Sequence, residues 1–247
     1  MSIRDILLPL VGTSSRTTML AIEKCVALAR GLDVRVTALA IEAENTTPPS
    51  VADVLGATEI VQTVPTAHAL LAAFDAVAKK LSLRNEQRLQ RSAGASVIDT
   101  IAAQARLSDM SMAIVKSADS LSEELVERLL YETGRPILMC PLEMAESLDT
   151  SPEAVVIAWD NTAPAARAIG DALPLLKRAS RIRILTATDK ASEEELASGA
   201  ALERHLSEHG VSAVFETAGI GGSSIGKVLC QYVEDNAIDL LVMGGFG

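Results

Sequence analysis

Apolar residues fall in short runs of two kinds, and the kinds alternate along the chain. DILLPLVG (5 to 12) and VRVTALAIE (34 to 42) are compact apolar runs of strand length, and the second is rich in β-branched residues. Between them, an Ala/Leu-rich segment repeats its apolar positions at helical spacing. The pattern therefore predicts strand, turn, amphipathic helix, strand. It returns in AVVIAWDNTAPAARAIGDALPLLKRASRIRILTATD (154 to 189), so that 5 to 42 lies over 154 to 189 as an internal repeat. Ser14 or Ser15 can cap the first helix. Thr162 can cap the second, with Pro164 in the first turn, where a missing N–H costs little. Pro174 sits deeper and is expected to bend or interrupt that helix.

A second pair matches further on: IAAQARLSDMSMAIVKS (101 to 117) with CQYVEDNAIDLLVMGGFG (230 to 247). Each is a helical segment, an Asp and a buried strand. Duplicated strand and helix alternation implies an α/β fold of two tandem, doubly wound, open parallel sheets. The predicted domains are 1–141 and 152–247, joined by the Pro- and acid-containing PLEMAESLDTSPEA, from about 141 to 153. In the first half, NTTPPS (45 to 50) is a loop and 67 to 91 a long helix. A weak strand is expected over 92 to 97. LSEELVERLLYETGRPILMCP (121 to 141) adds a helix, a Gly/Pro turn and a last strand over 137 to 140. The second half has the helix EEELASGAALERHLSEHG and the strand VSAVFET (211 to 217). It stops at DLLVMGGFG (239 to 247), so by comparison of repeats it is shorter by roughly 25 to 30 residues, its last helix and strand.

Composition narrows the chemistry. Of 247 residues, 49% are hydrophobic and only 2% aromatic, so the cores are built of Ala, Leu, Val and Ile, and a site that stacks bases on several rings is disfavoured. The net charge of -10, with no cluster of Lys and Arg, argues against nucleic acid and anionic membrane surfaces as partners. Cys25, Cys140 and Cys230 are far apart in sequence and form no CxxC or zinc spacing, which reads as free thiols in a reducing cytosol. The opening MSIRDILLPLVG has too short an apolar run and no cleavage site for a signal peptide. No apolar stretch reaches the ~18 residues of a membrane helix, so the expected location is the cytoplasm.

These residues carry a family resemblance. VVIAWDNTAPAARAI resembles the first strand and turn of the universal stress proteins, and IDLLVMGGFG their fourth strand and the start of their nucleotide motif. The chain thus resembles a tandem universal stress protein. The family motif runs Gly, two residues, Gly, nine residues, Gly, then Ser or Thr. Gly244 and Gly247 match its first two glycines. The resemblance implies sheets ordered 3-2-1-4-5, ATP at the carboxyl ends of strands one and four, and pairing of domains through strand five.

The residues themselves agree with that placement. In open parallel sheets, ligands sit at the carboxyl edge where strand order reverses. There Trp159 and Asp160 end strand one, and Met243 and Gly244 end strand four. Asp160 can accept from an adenine amino group or a ribose hydroxyl. Asn161, Thr162 and the helix start beyond them offer N–H donors. Ala187 and Thr188, ending strand two, would wall the adenine. Gly244, Gly245 and Gly247 would let backbone approach ribose and phosphate. The cofactor so indicated is ATP or AMP, with Mg accompanying it.

The first half lacks these features. Val11 stands at the position of Asp160, Gly12 and Thr13 replace Asn161 and Thr162, and Ile114 or a neighbour stands where Gly244 should be. A degenerate, structural first domain without nucleotide is expected. GIGGSSIG (219 to 226) follows strand three without GxGxxG spacing and reads as a loop and cap for the helix holding Val228 and Leu229. His205 and His209 lack a third ligand and read as solvated residues at a helix C-terminus, and Glu193, Glu194 and Glu195 as dipole complements. No Ser/His/Asp or Cys/His set stands out, and Cys25 and Cys230 fall on the apolar sides of their helices. No metal site or catalytic residue is assigned, and any ATP hydrolysis would be slow. The leading function is a stress-response regulatory protein that binds adenine nucleotide in its second domain. The alternatives are a dimeric scaffold for partner proteins and, less favoured, a small adenylate-using enzyme. An unpaired sheet edge seeks another strand, so homodimerisation through 137 to 140 is expected.

Overall fold

The computed structural model describes residues 3–12, 14–43, 64–92, 96–144 and 152–245. Two compact units divide the chain, one within 3–150 and the other within 151–247.

In the first unit, β1 (Asp5–Pro9), α1 (Arg16–Leu32), β2 (Arg35–Ala43), α2 (Val64–Lys80), β3 (Asn85–Ser92), α3 (Val97–Ala105), β4 (Met110–Val115), α4 (Ser120–Glu132) and β5 (Ile137–Pro141) follow in order. The strands form one sheet, β3-β2-β1-β4-β5, and every pairing is parallel. Side chains alternate across it with the two-residue period of a strand. Ile6, Leu8, Val36 and Ala38 meet Val26 of α1 and Phe74 of α2 on one face. Leu7, Leu39 and Ile41 meet Ile101 of α3 and Leu129 of α4 on the other. Burial on both faces is why these strands read as continuous apolar runs.

In the second unit, β6 (Ala154–Ala158), α5 (Ala163–Leu176), β7 (Arg181–Ala187), α6 (Glu193–Glu208), β8 (Val214–Ala218), α7 (Ile225–Asp235) and β9 (Leu240–Val242) repeat the plan. The sheet order β8-β7-β6-β9 is that of β3-β2-β1-β4 in the first unit. Val155, Ile157 and Ile184 pack under α5 and α6, while Val156 and Leu185 pack under Leu229 of α7. The predicted α/β class and the 3-2-1-4-5 order both hold. The second sheet has four strands among the described residues.

The repeated Asp has a structural explanation. Asp109 precedes β4 and its Oδ2 accepts from the backbone N–H groups of Arg4 and Asp5, at 2.9 and 3.1 Å. Asp239 precedes β9 and accepts from Glu153 and Ala154 at 3.0 and 2.8 Å. Each carboxylate ties the start of the fourth strand to the start of the first.

Four details differ from the sequence-based expectation. The helix expected over 67 to 91 ends at Lys80, where Ser82 takes a left-handed φ of 50° and the Leu83 N–H bonds back to Ala78. The third strand is then NEQRLQRS rather than 92 to 97. It pairs with β2 over eight residues as an edge strand, and its exposed side chains give no apolar alternation to read. Ser96 caps α3 instead. Pro174 does not interrupt α5, which runs on to Leu176. The proline lies in the last turn and forfeits one bond, while the N–H of Lys177 still reaches the Leu173 carbonyl. Cys230 is exposed, one position from the buried stripe at Leu229. The loop 45–50 and most of the linker lie outside the described residues. No helix among the described residues is long and apolar enough to cross a membrane.

Candidate functional site

At the carboxyl edge of the second sheet, β6 passes into α5 through Trp159, Asp160, Asn161 and Thr162. The turn closes on itself. Asp160 Oδ1 accepts from the Thr162 N–H at 3.0 Å and from its hydroxyl at 2.7 Å. This Asx turn forces Asn161 to a left-handed φ of 59°, a conformation Asn tolerates better than most residues. Thr162 is the N-cap of α5, its hydroxyl accepting from the Ala165 N–H at 3.4 Å. Asp160 is exposed, and among the described residues its Oδ2 takes no hydrogen bond, so one carboxylate oxygen is free beside the sheet edge.

Trp159 is held from three sides. Its N–H donates to the Leu185 carbonyl at 2.9 Å, its carbonyl accepts from the Thr186 hydroxyl at 2.8 Å, and its indole N–H donates to Ser198 Oγ at 2.7 Å. The ring packs against the α5–α6 core, which makes Trp159 a support for the turn and a reporter beside Asp160. Ala187 ends β7, and the Thr188 N–H is bonded to the Ala218 carbonyl at 2.8 Å. Both stand on the strand adjoining β6.

Past β9, Met243 is half exposed. Gly244 also has a packing reason to be glycine. A Cβ there would lie 2.8 Å from the Ala165 nitrogen and 2.9 Å from the Pro164 carbonyl carbon, so β9 exits directly against the start of α5. Gly245 follows, exposed. Gly247 lies outside the described residues. The helix start is also less open than its sequence implies: Thr162 N–H is committed to Asp160, Ala165 N–H to Thr162, and Pro164 has no N–H.

One residue escaped sequence reading. Asp189, just past β7, accepts from the Gly221 N–H at 2.7 Å and so fixes the glycine loop after β8. Gly221 and Gly222 there have φ of 56° and 78°. An Asp two residues beyond the strand was the available signal. GIGGSSIG is otherwise a loop, with Ser224 capping α7. His205 and His209 stack edge to face, their ring centres 4.8 Å apart at the end of α6.

The corresponding edge of the first unit has no carboxylate after β1. Val11 packs into the α3–α4 core, Gly12 adopts a φ of 104°, and Ile114 packs into the α1–α2 core. Thr13 lies outside the described residues. The chemistry at that edge is instead Glu42 at the end of β2, buried with its carboxylate 3.2 Å from Arg91 and 3.7 Å from His68. Among the described residues, no three His, Cys, Asp or Glu side chains gather as a metal site.

The two sheets define a tandem, doubly wound α/β protein. The chain has the universal stress protein fold in tandem. A universal stress protein from Archaeoglobus fulgidus matches 97% of this chain and 86% of its own at a TM-score of 0.69 and 13% identity. A putative universal stress protein from Pseudomonas aeruginosa matches 98% and 82%, at a TM-score of 0.56 and 15% identity. One from Archaeoglobus fulgidus in complex with dAMP covers 56% of this chain and 98% of its own, at a TM-score of 0.40 and 15% identity, too slight a likeness to bear on a ligand here. No family model and no curated protein matches the sequence.

Proposed function

We propose that the chain is a universal stress protein, a stress-response regulatory protein whose second unit binds an adenine nucleotide, ATP or AMP. The observation that carries this reading is Asp160: an exposed carboxylate, with one oxygen free among the described residues, in the turn after the first strand of the second sheet. That oxygen accepts from the adenine amino group or a ribose hydroxyl. Ala187 and Thr188 flank the base, and Gly244 and Gly245 carry backbone toward ribose and phosphate. Mg accompanies the phosphates. The first unit, with Val11 and Ile114 in the corresponding places, is structural.

The experiment is a fluorescence titration of ATP and AMP, using Trp159, the chain's one tryptophan, as reporter. Asp160→Asn keeps the acceptor that organises the turn but puts an amide donor in place of the free oxygen. It is expected to weaken binding about 10- to 100-fold, because a hydrogen bond to a charged acceptor is worth ~1.5–3 kcal/mol. Unchanged affinity in the variant would place the nucleotide elsewhere.

One observation favours a second reading. The committed donors at the start of α5, with Gly244 seated against it, leave few free N–H groups for phosphate. In that reading the chain is a scaffold for protein partners, and wild type shows no response to either nucleotide.

A further inference from the structure

The two units put one backbone frame to different use where their first strands end. The N–H of Leu10 donates to the Leu39 carbonyl at 2.8 Å, and that of Trp159 donates to the Leu185 carbonyl at 2.9 Å. Asp5 and Ala154 are each tied to the aspartate before the fourth strand, so Leu10 and Trp159 are equivalent positions, as are Ala40 and Thr186. In the first unit an aliphatic pair fills these places, both of them buried. In the second, two hydroxyls gather around one residue. Thr186, itself buried, donates to the Trp159 carbonyl at 2.8 Å, and Ser198 accepts from the indole N–H at 2.7 Å.

We propose that Thr186 and Ser198 are positioning residues of the second unit's ligand site: by pinning Trp159 at its carbonyl and at its indole, they aim the turn that presents Asp160. The proposal rests on the nucleotide reading of that unit. The carbonyl that Thr186 holds belongs to the peptide leading into Asp160. The Asx turn orders Asp160 Oδ1 against Thr162 but leaves the direction of the whole turn to the residue before it. A binding group is held in productive geometry only when the side chains behind it are themselves fixed by packing and hydrogen bonds. The N–H of Trp159 supplies a hold that both units share. The two hydroxyls are what the unit with the carboxylate adds.

Ser198 can serve as an anchor because α6 is itself held to β8. The next residue, Gly199, lets the Phe215 ring lie in the space a Cβ would need. About one turn further along, Glu203 accepts from the Phe215 N–H at 2.6 Å. The indole of Trp159 is thus tied to a helix docked on the far edge of the sheet, and neither hydroxyl needs to touch the ligand.

The test is a double-mutant cycle with Asp160, read by isothermal titration of ATP with Mg into the full chain. Ser198→Ala is expected to weaken binding about 3- to 10-fold, on the scale of one neutral hydrogen bond, and Ser198→Thr, which keeps a hydroxyl, to restore it. In the Asp160→Asn background the same Ser198→Ala change is expected to cost less than about twofold, because the group it positions is already altered. Thr186→Val keeps the branched shape without the hydroxyl, should repeat the pattern, and decides the matter if Ser198→Ala does not fold. An equal loss in both backgrounds, or no loss in either, would overturn the positioning role and leave the nucleotide reading standing. A wild type that binds no ATP, or an Asp160→Asn variant that binds as well as wild type, would overturn both.

Discussion

Gly199 shows how a single residue is decided by packing rather than propensity. It is buried in the interior of α6, where glycine costs ~1 kcal/mol relative to alanine. The ring of Phe215, from β8, occupies the space a Cβ would need. Gly199→Ala is therefore expected to lose ~1–3 kcal/mol through overpacking, despite its better helix propensity, as read by urea unfolding. An increase in stability would mean that Phe215 yields without cost. Ser111 shows the converse. The residue is 1% exposed on β4 and its hydroxyl has no hydrogen-bond partner among the described residues, so Ser111→Ala is expected to be neutral or mildly stabilising in the same assay. Neither feature could be read from sequence, since both depend on what lies across a layer. Asp160 could be read, because a carboxylate at a strand end is a local pattern. That Gly244 serves the packing of β9 on α5 could not.

Among the elements, the central strands were legible and the edge was not. β1, β2 and β6 are covered on both faces and read as unbroken apolar runs, and their following helices carry caps at Ser15 and Thr162 where the sequence places them. β3 is polar because it lies at an edge, and only its eight pairings with β2 make it a strand. The two aspartates before the fourth strands are the signal that ties elements together. Asp239→Ala removes the acceptor for two backbone N–H groups and is expected to cost ~1–2 kcal/mol, with Asp109→Ala costing a similar amount in the first unit. Thermal unfolding checks this, and an unchanged midpoint in both variants would contradict the clamp.

On the scale of the whole molecule, duplication has kept the frame and divided the chemistry. Both units share the 3-2-1-4 order, but among the described residues only the second has an exposed carboxylate in the turn after its first strand. The first unit has β5 at one edge, with half-exposed Met139 beside a shallow groove of about 480 Å³ lined by Val126, Leu130 and Tyr131. That edge is expected to pair with its counterpart in a second copy. Met139→Lys should then shift the light-scattering mass from dimer toward monomer, and a wild-type chain that is monomeric at high concentration would contradict the pairing.

One unit is expected to bind nucleotide and the other not. Isothermal titration of ATP with Mg into the full chain distinguishes the two units by stoichiometry. One site per chain, weakened about 10- to 100-fold by Asp160→Asn, is the predicted result. Two sites per chain, or one site indifferent to that substitution, would contradict it.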